Sequence, residues 1–216
     1  MKSAKKNIRV LIADDHEIIR QGFKKILSET DDMTITGEAT NGNEVIKFIK
    51  KTEVDVVVLD FDMPQKNGLD TLIELKMLKP KLPVLILSIF SEEHYGTRFL
   101  KAGASGYMGK ASASDQLVLA VRKVANGGTY ISPALTDKLV AGLNSNSDKA
   151  LHESLTDREF QVFRMLAEGK KLTDIAEELF LSVNTISTYR TRILEKMEME
   201  NNASIIHYAI KNGLVN

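Results

Sequence analysis

The chain has 216 residues, 43% of them hydrophobic, with acidic and basic side chains balanced at 29 each, which suits one large or two small globular domains. It has no cysteine, excluding disulfides, thiol catalysis and thiolate zinc sites, and its four histidines (His16, His94, His152, His207) are too scattered for a ligand cluster. Apolar stretches last only a handful of residues against the roughly 20 needed to cross a bilayer, and the lysine-bearing N-terminus lacks a signal-peptide core, so a cytoplasmic protein without a membrane partner is expected.

Apolar runs near residues 8–13, 33–39, 54–59, 83–88 and 105–108 alternate with segments of helical periodicity. This is βαβ patterning and predicts an α/β domain of five parallel strands with helices on both faces. The third run, rich in valine and almost wholly apolar, fits a strand covered on both sides.

Polar groups follow four of these runs. Asp14-Asp15 come after Val10-Leu11-Ile12-Ala13, Asp60 ends Val56-Val57-Val58-Leu59, Ser88 ends Val84-Leu85-Ile86-Leu87, and Lys110 follows Gly106-Tyr107-Met108. In an open parallel sheet the C-terminal strand ends converge on the ligand-binding edge. A carboxylate placed there can be phosphorylated, and the companions raise that reading above the ordinary one for a lone aspartate, a loop residue or helix cap. Taken singly, Ser88 reads as a strand end, Lys110 as a solvated lysine and Tyr107 as either a static core aromatic or a moving one. His16, beside the acidic pair, reads as a surface histidine at a helix start in preference to a metal ligand.

The first domain ends near Asn126-Gly127-Gly128. Ser132-Pro133 can start a short helix through about Leu143, and Asn144-Ser145-Asn146-Ser147-Asp148-Lys149 reads as a linker. The expected division is therefore 1–128, a connecting segment 129–150 and a second domain 151–216.

That second domain is helical throughout. Thr156 and Glu159 form a capping box, Phe160, Phe163, Leu166 and Ala167 an apolar stripe, and Gly169 a C-cap. A second helix fits Leu172 to Leu179, a turn Phe180-Leu181-Ser182 follows, a third helix runs from about Val183 to Met197, and a fourth from about Ala203 to Asn212. The middle pair has helix-turn-helix spacing over about 172–191. At about 100° per residue, Ile186, Ile193 and Met197 share one face of the third helix with Tyr189 and Arg190 at its edges. Asn184, Ser187, Thr188, Thr191 and Arg192 lie opposite. Residues 151–216 carry eight Lys and Arg against ten Asp and Glu, a net of −2, leaving 21 against 19, or +2, for the rest. Nucleic-acid binding would thus depend on local cations, and Val183 to Leu194 supplies two arginines and no acid.

Several motifs now stand in one order: Ile12-Ala13-Asp14-Asp15-His16, Leu59-Asp60-Phe61-Asp62-Met63-Pro64 with Gly68, Leu87-Ser88, Gly103-Ala104-Ser105-Gly106-Tyr107-Met108-Gly109-Lys110, Leu155-Thr156-Asp157-Arg158-Glu159, Ile175 through Ser182, and Thr185-Ile186-Ser187-Thr188-Tyr189-Arg190. Over nearly its whole length the chain resembles a two-component response regulator of the NarL/FixJ type. The resemblance implies a flavodoxin-like receiver and a small four-helix LuxR-type helix-turn-helix domain.

The resemblance also implies roles. Asp60 accepts a phosphoryl group from a sensor histidine kinase; Asp15 and Asp60 bind Mg²⁺ directly, Asp14 directly or through water, and Asp62 through its main-chain oxygen; Lys110 and Ser88 meet the phosphate. Ser88 and Tyr107 form the switch. Ser187, Thr188 and Thr191 face bases, Thr185, Arg190 and Arg192 face phosphates, and Thr173 joins them in DNA contact. Promoter DNA, RNA polymerase and a second copy of the chain, paired on phosphorylation, are the implied partners, and the protein is a regulator and no enzyme.

The chain departs from the family pattern at four places. Position 62 is acidic, Ile89 follows Ser88 where many receivers have a small residue and so is expected to narrow access to Asp60, Lys110 precedes Ala111 instead of proline, and Ser187 and Thr191 stand where relatives often have lysine. Two rival functions fit parts of the sequence. Asp60-Phe61-Asp62 fits the Asp-x-Asp opening of a Mg²⁺-dependent phosphatase, although Met63-Pro64 and the earlier acidic pair do not. A helical output domain that binds a protein in place of DNA would suit the net −2.

Overall fold

In a computed structural model the described residues are 7–89, 92–133, 135–137 and 150–215, with the side chains of Glu93, His94 and Asp157 excepted. The chain separates into two compact units, Met1–Asn144 and Ser145–Asn216.

The first unit is a parallel sheet of five strands: β1 (Ile8–Ala13), β2 (Met33–Ala39), β3 (Val56–Asp60), β4 (Val84–Ser88) and β5 (Gly106–Gly109), in the order β2-β1-β3-β4-β5. Helices α1 (Glu17–Ser28), α2 (Gly42–Ile49), α3 (Gly68–Leu78), α4 (Glu92–Lys101) and α5 (Ala113–Ala125) follow the strands in turn. Every residue of β3 and β4 is buried. Side chains alternate across a strand, and Val10, Ile12, Val56, Val58, Leu85, Leu87 and Met108 pack with Phe23 and Leu27 of α1 and Leu117, Val121 and Val124 of α5. Their neighbours Leu11, Val57, Leu59, Ile86 and Tyr107, equally buried, therefore face the other side.

The strand order reverses between β1 and β3, which makes the gap beyond their C-terminal ends the natural ligand site of the sheet. Asp60, expected to end the third apolar run, is the last residue of β3.

The helix expected from Ser132-Pro133 to about Leu143 is described only in part. Pro133 and residues 135–137 are helical, the Leu135 N–H donates to Ser132 Oγ at 3.2 Å, and the polar stretch 144–149 lies outside the described residues.

The second unit has α6 (Asp157–Ala167), α7 (Leu172–Glu178), α8 (Val183–Lys196) and α9 (Asn202–Lys211), preceded by a 3₁₀ turn at Leu151–Ser154 that no pattern announced. The Thr156–Glu159 capping box is formed in both directions. Gly169 has φ 79°, and the N–H groups of Gly169 and Lys170 close back on Leu166 and Met165, ending α6 as a Schellman turn. Phe163, Ile175, Ile186, Ile193, Ile205 and Ala209 are buried and form the small core. Phe180, in the turn between α7 and α8, has φ 54°. Leu181 N–H reaches Ala176 O at 2.9 Å, the same closure made without glycine.

Candidate functional site

The strand register brings the separated polar groups to one edge. Ala13 is paired with Leu59, Asp60 with Leu87 and Ser88 with Gly109, so Asp14, Asp60, Ser88 and Lys110 follow as a staircase along the C-terminal ends. Behind Asp60 the chain must turn sharply, and Gly68 permits it: a Cβ there would stand 2.3 Å from the Asp60 main-chain oxygen. The Gly68 N–H donates to Phe61 O at 2.8 Å, and the Asn67 side chain caps α3.

Asp14 and Asp60 are 1% and 2% exposed, and Lys110 Nζ bridges them, 2.7 Å from Asp14 Oδ2 and 2.8 Å from Asp60 Oδ2. Burial pushes the Asp60 carboxyl up to about 6, against the pull of Lys110, with the Asp14 charge adding to the rise. Burial works against the Lys110 ammonium too, but its bonds to Asp14 and Asp60 hold its pKa above the ordinary lysine value.

Asp15 lies at the mouth of the site. His16 is the N-cap residue of α1 and 66% exposed, as expected of a helix-start histidine, yet its Nδ1 is 2.9 Å from Asp15 Oδ1 and 3.3 Å from Asp14 Oδ1. Ligand atoms of Asp14, Asp15, His16 and Asp60 all lie within 4.8 Å of one another. Three carboxylates against one lysine leave negative charge in excess, and such a hard-oxygen set fits Mg²⁺.

Two supports had no signal in the sequence. Arg20 Nη1 donates to the Asp14 main-chain oxygen at 2.8 Å, and the Asp14 N–H donates to Ala39 O at 3.1 Å; both depend on which strands and helices become neighbours.

Ser88 is buried at the end of β4, and Tyr107 is buried beside Phe99, their rings 5.7 Å apart. Asp62 is exposed, though its main-chain N–H donates to the Asp60 carboxylate. Ile89, expected to narrow access to Asp60, is 74% exposed.

In the second unit the angular reading of α8 can be compared with the packing. Ile186, Ile193 and Met197 are buried, Tyr189 and Arg190 are half-buried, and Asn184, Ser187, Thr188, Thr191 and Arg192 are exposed. Ser182 caps the helix by accepting from the Thr185 N–H at 3.0 Å, and Thr185 itself is half-buried. Arg190 Nε is fastened to Asn202 Oδ1 at 2.6 Å, which joins α8 to the start of α9. Thr173 is exposed on α7, its hydroxyl on Asp174.

Comparison with known proteins gives two family matches: residues 10–122 match the response regulator receiver domain, and residues 153–209 match the bacterial regulatory proteins of the luxR family. The chain is 32% identical to the response regulator GacA of Pseudomonas aeruginosa over 209 residues, covering 96% of this chain and 98% of that one. It is 35% identical to the oxygen regulatory protein NreC of Staphylococcus epidermidis over 216 residues, with 96% and 99% covered. Among solved structures, RcsB of Salmonella enterica serovar Typhimurium bound to promoter P1flhDC in the presence of phosphomimetic BeF₃⁻ matches with a TM-score of 0.71 and 27% identity, over 94% of this chain and 98% of that one.

Proposed function

The chain belongs to the two-component response regulators that join a receiver domain to a LuxR-family output domain, and from that premise we propose that Asp60 is its phosphoacceptor and α8 its DNA-recognition helix. The protein is a transcription regulator under phosphorylation control. The observation that carries the residue assignment is the pairing of a buried carboxylate at the end of β3 with Lys110 and Asp14.

In this reading an Asp60 oxygen attacks the phosphorus of a kinase phosphohistidine, the P–N bond breaks, and the imidazole leaves with a proton. Asp14, Asp15, Asp60 and the Asp62 main-chain oxygen would hold Mg²⁺, which supplies positive charge to the transferring phosphoryl. Lys110 offsets the phosphoryl charge from the other side. The Ser88 hydroxyl donates to a phosphoryl oxygen, and its displacement is passed to Tyr107 and α4. Exposed Ser187, Thr188, Thr191, Arg192 and Thr173, with Thr185 and Arg190 at the edge, contact promoter DNA. Phosphorylation pairs two copies on adjacent half-sites. The kinase, promoter DNA and RNA polymerase are thus the partners, and the reading puts the protein in the cytoplasm with its DNA.

Light scattering with and without beryllofluoride and Mg²⁺, on the wild type and Asp60→Ala, tests the acceptor. A shift to dimer in the wild type alone supports it, and an equal response in both proteins overturns it. For α8, affinity for promoter DNA should fall with salt at a log–log slope of about −0.9 per phosphate contact; a protein-binding output domain would show no association with DNA to begin with.

A further inference from the structure

Asn184, Ser187, Thr188 and Thr191 follow one another in α8 at spacings of three and four residues, all exposed, and so form one continuous polar stripe. Sequence alone distributes base reading over the three hydroxyls of that stripe. The hydrogen bonds distribute it differently.

Thr188 Oγ1 donates to the Asn184 main-chain oxygen at 2.9 Å, and Thr191 Oγ1 donates to the Ser187 main-chain oxygen at 3.1 Å. The Thr185 hydroxyl is engaged with Ser182 Oγ at 2.8 Å. A hydroxyl carries a single proton, so Thr188 and Thr191 present lone pairs and a methyl group to the outside but no donor. Among the described residues nothing bonds the side chains of Asn184 or Ser187.

Asn184 is the second residue of α8, in the turn that reaches base edges when such a helix enters the major groove. Its carboxamide carries a donor and an acceptor in one plane. That pair matches N7 and N6 of adenine, which an asparagine binds in bidentate fashion. Val183 beside it is 43% exposed and offers apolar surface of the kind that meets a thymine methyl.

We propose that Asn184 sets the base preference of this protein's DNA site by reading one adenine in each half-site through its carboxamide. The proposal rests on α8 being the DNA-contacting helix. Thr188 and Thr191 are then left to accept hydrogen bonds and to pack their methyl groups on the groove, a weaker discrimination than a bidentate pair gives.

Selection of sites from randomised duplex DNA by the full chain tests this, using wild type, Asn184→Ala and Ser187→Ala with beryllofluoride and Mg²⁺ present. Alanine is a better helix former than asparagine, so the first variant keeps its fold. The expected wild-type motif has a fixed adenine in each half-site. Asn184→Ala should lose about tenfold or more of the preference at that position, keep the rest of the motif, and keep the slope of affinity against salt. An unchanged motif in Asn184→Ala overturns the proposal, as does a wild-type motif without a fixed adenine or loss of that adenine in Ser187→Ala alone. A uniform fall in affinity with a shallower salt slope would make Asn184 a phosphate contact and overturn it too. A wild type that selects no sequence overturns the reading of α8 as well.

Discussion

The ammonium of Lys110 stands 2.8 Å from Asp60 Oδ2, and it is shared with Asp14 at 2.7 Å. One cation thus serves two buried carboxylates, and Asp60 is held in the folded protein with a proton affinity well above that of an ordinary aspartate.

This has a sign. An acid whose pKa rises from 3.8 to about 6 on folding binds its proton more tightly in the folded state. That contribution to stability is greatest below about pH 4 and is lost as pH rises through about 6. At neutral pH without divalent cations, Asp60→Asn should therefore stabilise the receiver by about 1–2 kcal/mol, less than the shift alone implies because Lys110 loses a partner. Mg²⁺ should raise the melting temperature of the wild type and leave that of Asp60→Asn nearly unchanged. Thermal unfolding at pH 7 with chelator, then with Mg²⁺, checks both; a destabilised Asp60→Asn in chelator contradicts the first.

Gly68→Ala places a Cβ 2.3 Å from the Asp60 main-chain oxygen. Neither side of this contact is a flexible side-chain tip, so the end of β3 must move. The expected loss is about 1–3 kcal/mol, together with the beryllofluoride response, because the displaced backbone carries Asp60. Urea denaturation and light scattering on one preparation read the two effects. An alanine variant with wild-type stability would show that the turn is looser than this contact requires.

Glu159 links two helices of the second unit. Its Oε2 accepts from the Thr156 N–H at 2.8 Å and from Lys196 Nζ at 2.6 Å. Burial alone would raise its carboxyl, but Lys196 and Thr156 hold it below the ordinary 4.5. With the folded pKa depressed, its stabilisation is present above pH 4.5 and disappears as pH falls through the folded value. Glu159→Gln should cost about 1–2 kcal/mol at pH 7. The difference from wild type should shrink as the pH is lowered through the folded value, which unfolding monitored by circular dichroism along an acid series would reveal.

Leu135 is fully buried, and a Cβ on Gly96 of α4 would lie 2.4 Å from Leu135 Cδ2. Leu135 is therefore seated against α4 in the space that Gly96 leaves open. The Tyr130 N–H, donating to Ser105 O at 3.0 Å, holds the same segment to the strand edge. Leu135→Ala should lower stability by about 2–5 kcal/mol, measured by urea unfolding of the first unit. A change within a few tenths of that unit's wild-type stability would mean that this segment adds nothing to the receiver.

The strands were legible because their apolar runs are short and bounded, and the helices because their stripes and caps are local: Thr156 caps Glu159 three residues away whatever surrounds them. The departures lie where local signals are weak. The 3₁₀ turn at Leu151–Ser154 has no stripe to announce it. Ile89 could be judged by its size but not by its exposure, which is 74%.

The sequence by itself determined which chemical groups stand at strand ends, which face of α8 is apolar, and the order in which the motifs occur, because strand and helix periods are properties of neighbouring residues. Only the tertiary structure decided that Asp14, Asp60 and Lys110 meet around one ammonium and that His16 leans on the acidic pair. It alone decided that Thr188 and Thr191 spend their protons on the helix while Asn184 does not. Proximity between distant residues is set by strand order and packing, and a hydrogen bond is set by the direction in which a side chain points, neither of which is encoded in local spacing.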